Sequence, residues 1–469
     1  MPLKVLNTFK GVNKLDSFSI GTMYAAELKN LSGENFPAVK TRPGISALGS
    51  AIGTKVLGLG VWKETEIHAV FNDGTWRKWN GSSWTTLASG LNTSAPWTFT
   101  NFKGALSDIN LFGTNGVDQM RRYDGSSVVT VPDAPAGAKY VTQFADRLWC
   151  AVGNELKASA YRDGTDWTTV SVPEQDTDSW YAIIETPDGE EINGIHGGLS
   201  KLVITKPSSM HELFGYAPSD YEIRPVTFDI GAVNDQSMVT LNGILYMIDS
   251  TGIYRYSGGT LPDKYFSKRV QYYIDTMNKS AANQSCIGTD GLRIYISIPS
   301  AGASAPDTVL VYDPEHNENE GGTWYVWKDM SPLHFALVQG SIYFGDNTGR
   351  VRQITGTNDN GSPIAWEWIS GPMTAPSLAQ IIRWLTAWIT VNLPSGSTFN
   401  LYLSSQSQGD SDWTLVHSLS SSSDVSSTPI YLQSNAKVDF ERYIRFKLAG
   451  TGPMTLYELT WDEQYNPLR

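Results

Sequence analysis

Apolar residues fall along this chain in short runs broken by Gly, Asn and Asp, and the stretch Val70 to Leu87, VFNDGTWRKWNGSSWTTL, shows the pattern most plainly. Asn72-Asp73-Gly74 and Asn80-Gly81 are turn formers that tolerate positive φ, set between runs of Trp, Phe, Val and Thr. The segment therefore reads as consecutive hairpins. The same order of strand, turn, aromatic-ended strand and second turn returns at Leu111 to Val131, Leu148 to Val170 and Leu245 to Pro262. It returns more loosely at Ile294 to Trp327 and Ile342 to Ile354, and Lys201 to Gly215 fills the double-length gap between Leu148 and Leu245. The period matches the roughly 40 to 50 residues of a propeller blade. The fold expected is all-β, with a β-propeller of six or seven blades over residues 55–356.

Residues 1–54 do not follow this grammar. They read as an N-terminal arm, with an extended approach to an Arg42-Pro43-Gly44 turn, or as the strand that closes the propeller. Within the blades, Tyr265, Phe266, Val270, Tyr273, Ile274 and Met277 repeat at helical spacing, which predicts an inserted amphipathic helix near 263–279 after Pro262-Asp263. Such a helix must cover a sheet edge or meet a partner. The turn formers Asn358-Asp359-Asn360-Gly361-Ser362-Pro363 mark a boundary, and alternating strands then predict a separate antiparallel β-sandwich, jelly-roll-like, over residues 365–469. The Ser-rich piece Ser418 to Thr428 reads as a flexible loop within it.

The totals change this picture little. A chain of 469 residues implies more than one domain, and 43 Gly, 16 Trp and 22 Tyr with 17% charged residues suit turn-rich β-structure. The formal charge of -12 repels phosphate and opposes tight nucleic-acid wrapping. Cys150 and Cys286 sit among apolar strand residues and read as two buried thiols, not as a disulfide framework. No signal-peptide-like or membrane-spanning apolar run stands out, so a soluble protein made in a cytoplasm is expected.

Candidate chemistry is sparse. His68, His196, His211, His316, His334 and His417 show no metal-ligand spacing. The loop Asp313-Pro314-Glu315-His316-Asn317-Glu318-Asn319 has the alternating oxygens of a calcium loop but carries Glu318 where that loop needs Gly, and a solvated acidic hairpin is the ordinary reading. His196-Gly197-Gly198 has no G-x-S-x-G nucleophile elbow to serve. FNDGTW and YRDGTDW differ in register from the S-x-D-x-G-x-T-W box of sialidase-type propellers. Glu64, Glu66, Glu190, Glu191, Asp229 and Asp235 fall near predicted strand ends, where a carboxylate pair for glycoside hydrolysis would have to assemble. Trp76, Trp79, Trp84, Trp149, Trp167, Trp324 and Trp327 recur at equivalent blade positions, which points to packing. Arg121-Arg122 and Lys268-Arg269 read as solvated basic pairs, not as nucleic-acid contacts. No catalytic residue, metal or cofactor is expected.

The segment LKNLSGENFPAVKTRPG is similar to the opening of propeller-type tail, nozzle and neck proteins of tailed bacteriophages, where an extended segment ends in a basic R-P-G turn. GIYRYSGGTLPDKYFSKRVQYYID looks like their blade strand followed by a short helix, and VLVYDPEHNENEGGTWYVWKDM and IYFGDNTGRVRQITGTNDNGSPI resemble their last blades. The C-terminal sandwich departs from the short-tailed phage nozzles. The resemblance implies a non-enzymatic virion component of the tail or head-tail junction, assembled in the host bacterial cytoplasm. It implies a homo-oligomeric ring that docks other tail or neck proteins and passes viral DNA without sequence-specific binding, with no membrane partner. Interaction candidates on the arm and helix are Arg42, Pro43, Gly44, Tyr265, Phe266 and Met277. The alternative is a carbohydrate-binding or glycan-cleaving propeller that recognises a host surface.

Overall fold

The computed structural model describes residues 3–18, 20–198, 200–316, 321–377, 379–405, 412–432 and 441–467, and these form an all-β chain. Among them, seven small sheets follow one another, six of them antiparallel meanders of neighbouring strands and the seventh such a meander extended by further strands. Their first strands are Val56–Trp62, Thr98–Phe102, Tyr140–Phe144, Gly194–His196, Met238–Leu241, Cys286–Thr289 and Pro332–Val338. These strands touch in cyclic order, the fourth and fifth through the turn Asp235–Ser237, and the seventh returns to the first. The sheets therefore close on themselves in the manner of a β-propeller.

The ring is held by apolar faces packed sheet against sheet. Leu57, Val70 and Trp76 of the first sheet share a cluster with Leu111 and Tyr123 of the second, and Val56, Ile67 and Phe71 share another with Val338 and Val351 of the seventh. Glycines on the inner strands allow this approach: a Cβ at Gly60 would lie 2.7 Å from the Phe99 ring, and one at Gly288 only 2.3 Å from the Phe335 Cβ. Any larger residue there would push neighbouring sheets apart.

The N-terminal residues do not project as an arm. Ile45–Ala47 pairs with Val351–Ile354 and supplies the fourth strand of the seventh sheet, while the strands before it join the C-terminal sheets. Leu3–Leu6 and Val39–Thr41 pair with Thr455–Pro467, and Ala25–Lys29 pairs with Ala365–Ser370. Between them Val12 donates to the Trp324 carbonyl at 2.7 Å and Asn30 to that of Val326 at 2.8 Å, along the outer strand of the sixth sheet. Unpaired strand edges need partners, and this one segment serves four sheets.

Two C-terminal sheets follow. One contains Gln380–Leu393, Val425–Leu432 and Thr455–Pro467; the other contains Ala365–Ser370, Thr398–Ser404, Thr414–Ser420 and Arg445–Thr451. Ile389, Val391 and Trp461 of the first meet Trp368, Leu401 and Phe446 of the second in one cluster, in which the Trp384 and Trp461 rings stack at 5.2 Å. The same cluster runs on into Val309, Val311 and Trp324 of the sixth small sheet, so no gap separates the two halves of the chain.

The single helix expected near 263–279 is instead a 3₁₀ turn, Tyr265–Val270, leading into one short α-helix, Gln271–Asp275. The fifth sheet has only three strands, and this segment covers its open edge at Gly252–Tyr256. Ser267 Oγ donates to the Ile253 carbonyl and Gln271 Nε2 to that of Thr251, each at 2.9 Å, while Asp263 and Arg255 exchange backbone bonds. Side chains spent on that edge break the regular helical repeat.

Candidate functional site

Most of the groups singled out in the sequence are consumed inside the fold. Arg42 is 1% exposed; Phe266 and Met277 are buried, and Gly44 lies against the Asn358 backbone. None of these four is free to meet another molecule. Pro43 is half-buried, and Tyr265, placed on the apolar face of the helix and named as an interaction candidate, is 79% exposed. The seven-residue acidic loop is spent at its first position, where Asp313 accepts from Arg293 Nε at 2.8 Å and contacts His316 Nδ1 at 3.0 Å; Asn317, Glu318 and Asn319 lie outside the described residues. Among the described residues, no group of three or more His, Cys, Asp or Glu is arranged to hold a metal ion.

The carboxylates scatter. Glu66 bonds His68 Nε2 at 2.8 Å and Lys78 Nζ at 3.1 Å, and these partners pull its pKa down to about 2. His68 in turn accepts at Nδ1 from the Trp76 indole at 3.0 Å, a chain that locks the second and third strands of the first sheet. Glu190 accepts from Ser208. Arg269 donates to the Gly322 carbonyl at 3.0 Å and packs over Tyr24, so this member of a basic pair braces the N-terminal segment. Trp76, Trp149, Trp324 and Trp327 are at most 1% exposed and build the core; Trp79 and Trp84 are half-buried. Cys150 and Cys286 are buried free thiols whose pKa burial pushes up.

One concavity gathers residues from the first strands of the ring or from the turns just before them. A cavity of about 560 Å³ opens where the first strands begin, lined among others by Lys55, Lys139, Tyr140, Asp235, Ser285 and His334. Val56, Leu57, Pro96, Val233 and Leu333 give its walls much apolar surface, and several of the polar groups among them are fixed by the fold. Asn234 donates from Nδ2 to the carbonyls of Asn283 and Ser285, each at 2.8 Å, which clamps the fifth sheet to the sixth. Lys55 Nζ donates to Gln284 Oε1 at 3.1 Å, and burial lowers its pKa. His334 is held neutral, its pKa pushed to about 3 by burial and then by the nearby Lys55 charge. Asp235 accepts one bond, from the Ile195 N–H at 3.0 Å; the surrounding protein raises its pKa to about 7 even though the residue stays open to the cavity.

Asp235 and His334 stood out in the sequence only as members of longer sets, and Lys55, Lys139, Asn234 and Ser285 did not stand out at all. Their common signal is position. Each lies at or just before the start of a first strand, so the repeat that locates the blades also marks the ring's mouth. At this mouth the structure brings together a carboxyl, two lysines, a neutral imidazole and several amides; it does not bring together two carboxylates.

No family model and no curated protein matches this chain. Among solved structures it is similar to the WD40 β-propeller domain of Doa1, with 10% identity over 66% of this chain and 96% of that one and a TM-score of 0.40. YCF48 bound to D1 peptide is 10% identical over 67% of this chain and all of its own, and the CNH domain of AfRom2 is 9% identical over the same shares, both with TM-scores of 0.41.

Proposed function

We propose that this chain is a non-enzymatic structural component of a tailed-phage virion, built as a seven-bladed propeller joined to a C-terminal β-sandwich. The observation that carries the reading is the path of the N-terminal segment, which pairs with both C-terminal sheets, the edge of the sixth small sheet and the last strand of the ring. One continuous apolar cluster also joins the two halves. Such interlacing suits a part that bears load, where two domains must not move relative to each other. The resemblance of the same segment to phage tail, nozzle and neck proteins supports the assignment.

The mouth of a single chain holds about 560 Å³, far too little for a duplex. Viral DNA would therefore pass through a ring of copies, each propeller forming part of the wall. The formal charge of -12 suits a wall along which phosphates slide without sticking. Docking to neighbouring copies or other tail proteins would fall to open apolar groups outside the ring, such as Tyr265, Leu3 and Val5, which are 79%, 59% and 52% exposed.

A glycan-cleaving role gains no support from the geometry, because the mouth offers one carboxyl and the blade tryptophans are mostly buried. Mass spectrometry of purified particles tests the proposal. Stoichiometric presence of the chain is the expected result; its absence, or hydrolysis of host polysaccharide by the purified protein, would overturn it.

A further inference from the structure

The mouth of the ring carries an unmet chemical demand, and it is a demand for hydrogen-bond donors. Asp235 uses Oδ1 on the Ile195 N–H and leaves Oδ2 without a partner in the protein. Asn234 has its Nδ2 doubly engaged while its buried Oδ1 has no partner. Ser285, 1% exposed, has an unpaired Oγ, and His334, 5% exposed, has an unpaired Nδ1. The remaining His334 nitrogen engages the Val56 backbone, so in the neutral ring Nδ1 is the lone-pair acceptor. Buried acceptors without donors are costly and uncommon in folded proteins. Three such buried atoms, on residues that line the same cavity as the open Asp235 Oδ2, mark a place where a ligand completes the bonding.

We propose that this mouth binds a guanidinium or alkylammonium group, seated on Asp235 with Asn234, Ser285 and His334 accepting from the same ligand. Neither resident lysine fills the role. Lys55 is bonded to Gln284, and Lys139 lies at the rim with its Nζ 5.4 Å from the Tyr140 ring centroid. A planar guanidinium presents several donors in a fixed fork, which suits a carboxylate and an amide oxygen side by side. The net charge of -12 draws a cation toward the molecule. A cavity of this size takes one long side chain or one small amine, and the site's chemistry does not depend on whether the chain sits in a virion.

The other charged and titratable groups lining the cavity are Lys55, Lys139, Tyr140 and His334; Tyr140 feels the Asp235 charge, and exposed Glu191 acts on Tyr140 from outside. Only the ionised carboxylate attracts the ligand. With a pKa of about 7 for Asp235, its ionised fraction, and hence cation affinity, falls about 30-fold from pH 8 to pH 5.5.

Isothermal titration of the full chain with ethylguanidinium and with an acetylated, amidated Gly-Arg-Gly peptide tests this. Both are titrated at pH 8, 6.5 and 5.5, with two buffers of different ionisation enthalpy at pH 6.5. The expected results are binding at pH 8, proton release on binding at pH 6.5 and the loss of affinity toward pH 5.5. Asp235→Asn keeps an acceptor for the Ile195 N–H and should fold, as a thermal melt checks; it should lose at least tenfold in affinity and all pH dependence. Lys55→Met, which removes a nearby positive charge, should bind more tightly. Peptide binding tenfold tighter than ethylguanidinium identifies a partner's arginine or lysine as the natural source, and equal binding identifies a free amine. Absence of binding by both probes, pH-independent binding, or an Asp235→Asn variant equal to wild type overturns the proposal. So does weakening by Lys55→Met, which would make the mouth an anion site.

Discussion

Arg42 and Asp359 meet fork to fork, 317 positions apart in sequence: Nη1 donates to Oδ1 at 2.9 Å and Nη2 to Oδ2 at 2.7 Å, with the guanidinium fully buried. The same side chain donates from Nε to Asn30 Oδ1 at 3.0 Å and from Nη2 to the Lys328 carbonyl at 3.3 Å. One residue thus ties the N-terminal segment to the end of the sixth sheet and to the hairpin that ends the seventh. Removing one partner from a buried pair leaves the other uncompensated, so Arg42→Met should cost roughly 3 to 5 kcal/mol. Arg42→Lys should also destabilise, since an ammonium cannot make the fork. Urea unfolding with an unchanged slope and a lowered midpoint is the expected readout.

Acid should destabilise the protein through two histidines. Burial holds His196 down to about 4 and His334 to about 3, whereas the unfolded chain takes up those protons near the ordinary ~6.5. Their contribution is complete above that ordinary value and is lost as pH falls toward the folded values, by at most ~1.4 kcal/mol per histidine per pH unit. Asp235 has the opposite sign: the folded chain keeps its proton up to about 7, so its contribution is lost as pH rises through that value. Thermal melts should show His334→Leu with a shallower acid slope than wild type. Asp235→Asn should gain stability at pH 8 and not at pH 4.

Much of this was legible in the sequence, because blade packing is repetitive. Asn-Gly and Asp-Gly turns between aromatic-ended strands locate the hairpins, as at Trp76 and Trp79, and period does the rest. The N-terminal route was not legible. Leu3–Leu6 and Ala25–Lys29 are short strands whose partners lie more than four hundred and three hundred positions away, at Leu459 to Asp462 and Glu367 to Ser370, and no local pattern encodes such pairings. Helical spacing misled at Tyr265, because the segment answers to the hydrogen-bond needs of a sheet edge and not to a continuous apolar face. The mouth was hidden for a different reason. Its residues are ordinary polar types, and only ring closure makes them neighbours.

Closure of the ring by Ile45–Ala47 predicts that a chain beginning at residue 48 will not fold to a native state. It lacks the fourth strand of the seventh sheet as well as the strands that cover Thr455–Pro467 and Ala365–Ser370. Exposed edges and apolar faces should drive it into aggregates, visible by light scattering and by binding of a hydrophobic dye.

Trp327 fastens the N-terminal segment to the sixth sheet, its indole donating to the Leu31 carbonyl at 2.8 Å from a site 1% exposed. Trp327→Ala should cost about 3 to 5 kcal/mol, whereas Trp327→Phe should cost about 1 kcal/mol for the lost bond. Denaturant midpoints for the two variants separate packing from hydrogen bonding.

Cys150 and Cys286 are both inaccessible, and burial keeps their thiols protonated. The native chain should not react with iodoacetamide over hours at neutral pH, and the urea-unfolded chain should take up two equivalents. Mass spectrometry reads both states directly.

The function proposed above makes the interlaced propeller and C-terminal sheets one rigid building block of a virion ring. Under the proposed function, cryo-electron microscopy of purified tailed-phage particles from the source of this chain tests it most directly. The account predicts several copies in a closed ring around the DNA channel at the tail or neck, each with its propeller and C-terminal sheets in the relative orientation described above. A lone copy at a fibre tip, or particles that lack the chain altogether, would contradict it.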